Sequence, residues 1–168
     1  MFSGKTEELI RRLNRAIIAK KNVEIFKPII DNRYSENEVV SHNNIKIPSV
    51  SVTNSESIYL LAQNKDVIGI DEAQFFDDAL PHVCKKLAAN GVRVVIAGLD
   101  MDYLGNPFGI MPQLMAIADD VLKVHAVCMR CGESANFSKR LVANANKILV
   151  GEKDMYEPRC RRCYNIES

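Results

Sequence analysis

Three places in this chain carry residues whose types and spacing could do chemistry. The first is the start, where residues 1–6 read Met-Phe-Ser-Gly-Lys-Thr and lead into a charged, amphipathic stretch. Glycine lets an anion approach the backbone closely, lysine reaches terminal phosphates, and a threonine hydroxyl serves magnesium, which is the second half of a Walker loop. A helix starting just after it would aim its first N–H groups at the same anion. Gly-Lys-Thr alone recurs by chance, and the competing reading is a simple helix start with Lys5 in solvent. The full loop needs an earlier glycine and a strand before Met1, so the chain is expected to begin inside its phosphate loop.

The second place is Asp71-Glu72, which closes the apolar run Val-Ile-Gly-Ile at 67–70. An aspartate at such a strand end suits the Walker-B role, holding the magnesium shell beside a phosphate loop. Glu72, on the opposite face, could accept the proton of an attacking hydroxyl. The alternative is that the two acids merely open a helix, where its dipole favours them. Phe75, Phe76, Leu99, Tyr103 and Phe108 fall in or beside the strand-end loops and are candidates for stacking on a planar ring. Each of them, taken singly, is more often a core residue, and two or three of the five are expected to serve.

The third place is the paired set Cys128-Met-Arg-Cys131 and Cys160-Arg-Arg-Cys163. Four thiolates can close a tetrahedral site with no open position, which indicates structural zinc rather than a catalytic metal. The stretch between the pairs exceeds usual zinc-ribbon spacing, so a hairpin or loop must be inserted there. Two redox pairs are the competing reading, without a thioredoxin-like context to support it. Arg130, Arg159, Arg161 and Arg162 would offset the negative charge of such a site. The fifth cysteine, Cys84, reads as a buried inert thiol, and His42, His82 and His125 show no catalytic spacing.

These residues need elements to hold them. Residues 7–20 place Leu9, Ile10, Leu13, Ile17 and Ile18 on one face of a helix. Residues 22–27 form a strand candidate, the polar segment 31–44 a loop, and 55–63 a helix with a serine cap. Residues 67–70 make a buried strand and 77–90 a helix capped by Asp77 or Asp78, with Asn90-Gly91 as its stop. Residues 92–99 make another apolar strand. Helices alternating with wholly apolar strands predict an α/β fold, a parallel sheet covered on both faces. From Cys128 the alternation ceases. The division expected is therefore 1–126, a nucleotide-binding domain, and 127–168, a small zinc-binding lobe.

At 168 residues, 47% hydrophobic and 26% charged, the chain is a globular protein of about one domain. Its net charge of +1 gives no basic surface for nucleic acid or membrane. No apolar stretch approaches a membrane span, and the N-terminus lacks the apolar region of a signal peptide. Unpaired cysteines in metal-like spacing suit a reducing compartment, so a cytoplasmic location is expected.

The ordered set M-F-S-G-K-T-E, D-N-R-Y-S, I-D-E-A-Q-F-F, N-P-F-G, A-V-C-x-x-C-G, K-R and C-x-x-C resembles the type II, zinc-containing thymidine kinases, and covers Met1 to Tyr164. That resemblance implies a P-loop kinase transferring the ATP γ-phosphate to the thymidine 5′-hydroxyl, supplying DNA synthesis by nucleoside salvage. Ser3, Gly4, Lys5 and Thr6 would bind ATP phosphates and magnesium, with Asp31 and Arg33 helping to organise them. Asp71 would be the Walker-B acid and Glu72 the base; Gln74 belongs to the same motif. A lasso-like loop near 150–158 would hold the pyrimidine, with Val150, Gly151 and Tyr156 at the matching positions. Ser138 would lie near the base methyl, and Phe75, Leu99, Tyr103 and Phe108 in the apolar pocket. Zinc on Cys128, Cys131, Cys160 and Cys163 would pin that loop. The resemblance further implies a homotetramer inhibited by thymidine triphosphate. Two other readings remain at this stage: a non-catalytic zinc-ribbon module that binds nucleic acid, and a nucleoside monophosphate kinase. The latter lacks a second cationic clamp beyond Arg33.

Overall fold

The structure, a computed structural model, describes residues 2–29, 38–40, 46–141 and 155–166. Two compact units are present: Lys5–Asp100 with Phe108–Val121, and Met1–Gly4 with Met101–Pro107 and Leu122–Ser168. No helix among the described residues is long and apolar enough to cross a membrane.

The first unit begins with α1 (Lys5–Ile18), which carries Glu7 and Glu8 in its first turn and Arg15 in its last, favouring the helix dipole. Glu8 pairs with Arg11 and Arg12 one turn on, at 2.6 and 2.8 Å. Five strands follow: β1 (Val23–Pro28), β2 (Glu38–Val40), β3 (Lys46–Val52), β4 (Val67–Ile70) and β5 (Arg93–Ile96). They lie in the order β2-β3-β1-β4-β5. β3, β1, β4 and β5 are parallel, and β2 runs antiparallel on β3 at the edge. Helices α2 (Ser55–Leu61), α3 (Leu80–Ala89) and α4 (Met111–Ile117) complete this unit.

Strand alternation creates two cores. Ile25, Val67, Val95 and Ala97 pack with Leu9, Ile10, Leu13 and Ala16 of α1. Phe26, Ile68 and Ile70 pack with Ile58, Leu80, Val83, Leu87, Met111 and Leu114 of the other three helices. The expected parallel sheet with helices on both faces is thus what the chain forms. Gly69 faces α1, where a Cβ would lie 2.5 Å from Leu13 Cδ1; its missing side chain lets the helix come that close.

Several expectations are corrected. The segment 31–44, read as a loop, contains β2. The cap of α2 is Asn54, whose side chain accepts the Ser57 N–H at 2.9 Å, not a serine. Helix α3 starts three residues after Asp77 and has no side-chain cap; Asp77 instead accepts from the Ser55 N–H and hydroxyl, each at 2.8 Å. Phe76 is a core residue.

In the second unit, β6 (Ala126–Val127) pairs with β7 (Ser134–Ala135), and β8 (Phe137–Arg140) with β9 (Tyr156–Arg159), which leads into α5 (Arg161–Asn165). Its core is Ala126, Cys128, Ala135, Cys160 and Cys163.

Candidate functional site

At the C-terminal end of the parallel sheet, Asp71 is anchored by donating its N–H to the Phe26 carbonyl at 2.9 Å. Its buried carboxylate accepts from the Thr6 hydroxyl at 3.1 and 3.4 Å, on its two oxygens, and from the Glu72 N–H at 3.0 Å. Burial, followed by the neighbouring Glu72 charge, pushes the Asp71 carboxyl up to about 6 against the pull of the Glu72 N–H, the Thr6 hydroxyl and Lys5. A carboxylate desolvated by the fold, touching a threonine hydroxyl, is a fitting donor set for a hard cation with oxygen ligands. Lys5 and Thr6 form the first turn of α1, and Gly4 before them has φ +75°, the left-handed region a glycine adopts freely.

Glu72 is also left-handed, at φ 51° and ψ 41°. For a residue with a side chain that conformation costs on the order of 1–3 kcal/mol and persists only where neighbours impose it. They do so here. Ala73 donates to the Ala97 carbonyl at 3.0 Å, and Gln74, 4% exposed, donates from Nε2 to Glu72 Oε2 at 2.6 Å. Gln74 Oε1 accepts the Leu99 N–H at 2.9 Å. Beside this turn, Phe75 and Phe108 pack edge to face with centroids 5.5 Å apart, and Leu99 is half-buried just past β5. The structure therefore brings Thr6, Asp71, Glu72, Gln74 and Leu99 into one connected set.

In the second unit the Sγ atoms of Cys128, Cys131, Cys160 and Cys163 all lie within 4.8 Å of one another, and Cys131 and Cys160 sulfurs are 3.6 Å apart. Tetrahedral zinc with bonds near 2.3 Å needs sulfurs roughly 3.8 Å apart, so the donor set fits. Gly132, at φ +77°, turns the chain after the first pair, and Gly132 N–H closes on the Cys128 carbonyl at 2.9 Å. Cys160 Sγ accepts the Cys163 N–H at 3.4 Å, which orients the second pair. Cys84 lies apart in the α3 core, where burial pushes its thiol up to about 12.

Ser138 and Tyr156 sit on the β8–β9 hairpin, Ser138 opposite Pro158 and Tyr156 opposite Arg140. Arg140 donates to the Tyr156 hydroxyl from Nη2 at 2.8 Å and lies 3.7 Å above the Tyr103 ring. Tyr164 donates to the Tyr103 carbonyl at 2.7 Å and stacks on Phe137 with centroids 4.6 Å apart. Arg140 was not singled out from sequence, because its significance comes from two tyrosines distant in the chain; the K-R dipeptide was its only signal. Asp31, Arg33, Val150 and Gly151 lie outside the described residues; Ser3 is half-buried, two residues before the start of α1.

The family model described as "Thymidine kinase" matches residues 1–164. A thymidine kinase of Bacteroides thetaiotaomicron is 62% identical over 164 residues, covering 98% of this chain and 82% of the relative. One from Porphyromonas gingivalis is 59% identical, covering 98% of this chain and 80% of the relative. One from Rhodothermus sp. is 56% identical, covering 98% and 77%. With a strand-end acid meeting a hydroxyl from the first helix, and that likeness along nearly its whole length, the chain belongs to the thymidine kinase family.

Proposed function

We propose that this protein transfers the γ-phosphate of ATP to the 5′-hydroxyl of thymidine, giving thymidine monophosphate and ADP. The observation that carries the reading is the contact of the Thr6 hydroxyl with the Asp71 carboxylate at 3.1 Å, one residue from Glu72. The names of the relatives supply the acceptor.

In this reading Ser3, Gly4, Lys5 and Thr6 hold the phosphates, with Asp31 and Arg33 assisting, and Thr6 and Asp71 hold magnesium. Magnesium, when bound, neutralises charge on the β- and γ-phosphates. Glu72 accepts the 5′-hydroxyl proton as the O5′–phosphorus bond forms and the bond from phosphorus to the ADP oxygen breaks. Phosphoryl transfer asks mainly for positioning and charge stabilisation, which a turn held from several sides provides. The residues carried into this reading as candidates for pyrimidine contact are Phe75, Leu99, Tyr103, Phe108, Ser138, Val150, Gly151 and Tyr156. Zinc on the four cysteines would fasten the two ends of the stretch that joins the cysteine pairs, and a stretch fastened in advance loses less entropy when it binds substrate. Feedback by thymidine triphosphate, a tetrameric assembly and a cytoplasmic location belong to the same proposal.

The test is direct. Zinc-loaded protein incubated with magnesium-ATP and thymidine should form thymidine monophosphate, and Glu72→Gln should lower kcat by about 10²–10⁴-fold. Folded protein that leaves thymidine unphosphorylated would remove the substrate assignment; Glu72→Gln turning over at the unsubstituted rate would remove the base.

A further inference from the structure

We propose that Gln74 is a positioning residue that acts through Glu72: its amide fixes the carboxylate that serves as base and ties it to the main chain at Leu99. This rests on the reading of Glu72 given above.

A glutamine amide carries a donor and an acceptor at one end of a flexible side chain, and here both are used. Nε2 donates to Glu72 Oε2 at 2.6 Å, and Oε1 accepts the Leu99 N–H at 2.9 Å. The short bond is of the charge-assisted kind expected toward a carboxylate. It occupies one carboxylate oxygen and leaves Oε1 for a substrate hydroxyl. Being neutral, the amide orients the base without pairing its charge, as a lysine or arginine would.

The surroundings are built to hold that amide. Gln74 is 4% exposed. A Cβ on Gly98 would stand 3.0 Å from Gln74 Oε1, and one on Gly109 would stand 2.6 Å from the Gln74 carbonyl oxygen. Two glycines thus clear space for the side chain and the main chain of the same residue. The glutamate it grips sits on a left-handed residue, whose three side-chain torsions would otherwise be free to swing the carboxylate away. The Leu99 link also means that the base and a pyrimidine-contact candidate share one anchor.

A carboxylate misplaced by about 1 Å is enough to reduce turnover by roughly 10–100-fold. The experiment is a double-mutant cycle on the full chain: Gln74→Met, Glu72→Gln and both together, with kcat for thymidine phosphorylation, the KM values and Tm measured for each. Acting through Glu72, Gln74→Met should lower kcat about 10–100-fold with KM within about 2-fold, yet change kcat less than about 2-fold when Glu72 is already glutamine. An equal factor in both backgrounds, with Glu72→Gln itself impaired, would overturn the Gln74 inference alone, leaving the base intact. Unchanged kcat in Gln74→Met would do the same. Glu72→Gln at full turnover would take down the base and this inference with it. Should Gln74→Met fail to fold, Gln74→Asn runs the same cycle; it keeps an amide in the pocket but is one methylene too short to span both partners.

Discussion

Glu72 illustrates how much of this site is decided by single residues. Its left-handed backbone is imposed from outside, by the Asp71 carboxylate on its N–H and by the packing of the turn that follows. Gly109 is part of that packing, itself at φ +52° and against the Gln74 carbonyl. Gly109→Ala should therefore cost about 1–3 kcal/mol, from a strained φ together with overpacking, and should lower kcat as well. Urea unfolding with steady-state kinetics checks both; an alanine that left stability and kcat unchanged would show that the turn is softer than its geometry implies. At this scale the sequence was most informative where chemistry restricts residue choice. Asp71, Glu72 and the four cysteines could be named because few side chains hold cations or accept protons. What Gln74 does was not legible, because the Leu99 N–H it binds is 25 residues away, in the loop just past β5.

Elements were legible in proportion to how local their causes are. Helix α1 and strands β4 and β5 show in the sequence because one stripe or an unbroken apolar run is enough to define them. β3 (Lys46–Val52) does not: Pro48, Ser49 and Ser51 interrupt any apolar run, and the strand pairs with β1 on one side and β2 on the other. The cap of α2 was placed one residue late, since Asn54 rather than a serine caps it. Asp77 then fastens that start to the turn before α3, through the Ser55 N–H, the Ser55 hydroxyl and the Ala79 N–H. Partial burial raises its carboxyl pKa, but these donors outweigh it and the net shift is downward. A carboxylate shifted down contributes stability that is fully present above its unfolded value, about 3.9, and is lost as pH falls through the lower folded value. Asp77→Ala should thus cost about 1 kcal/mol at neutral pH. That gap should narrow as unfolding is measured below about pH 4; a gap independent of pH would mean that the charge does nothing.

For the molecule as a whole, the contrast between its two units matters most. The sheet unit is held by two apolar cores that draw on four helices, whereas three of the five residues in the core of the other are cysteines. Under the proposed zinc assignment, denaturation should release about one zinc per chain. Chelation should unfold the cysteine unit first, seen as loss of protease resistance at 122–166 while the sheet unit still melts cooperatively. Native protein containing no zinc, with four freely titrating thiols in that cluster, would end the assignment. The nearness of Cys131 and Cys160, 3.6 Å between sulfurs, has a practical consequence as well. Once metal is lost, those thiols stand within a short movement of a bond to each other, so air and chelator act on the same weak point. Preparations should lose activity on storage under air faster than under argon. Reductant and zinc supplied together should restore it, and neither alone.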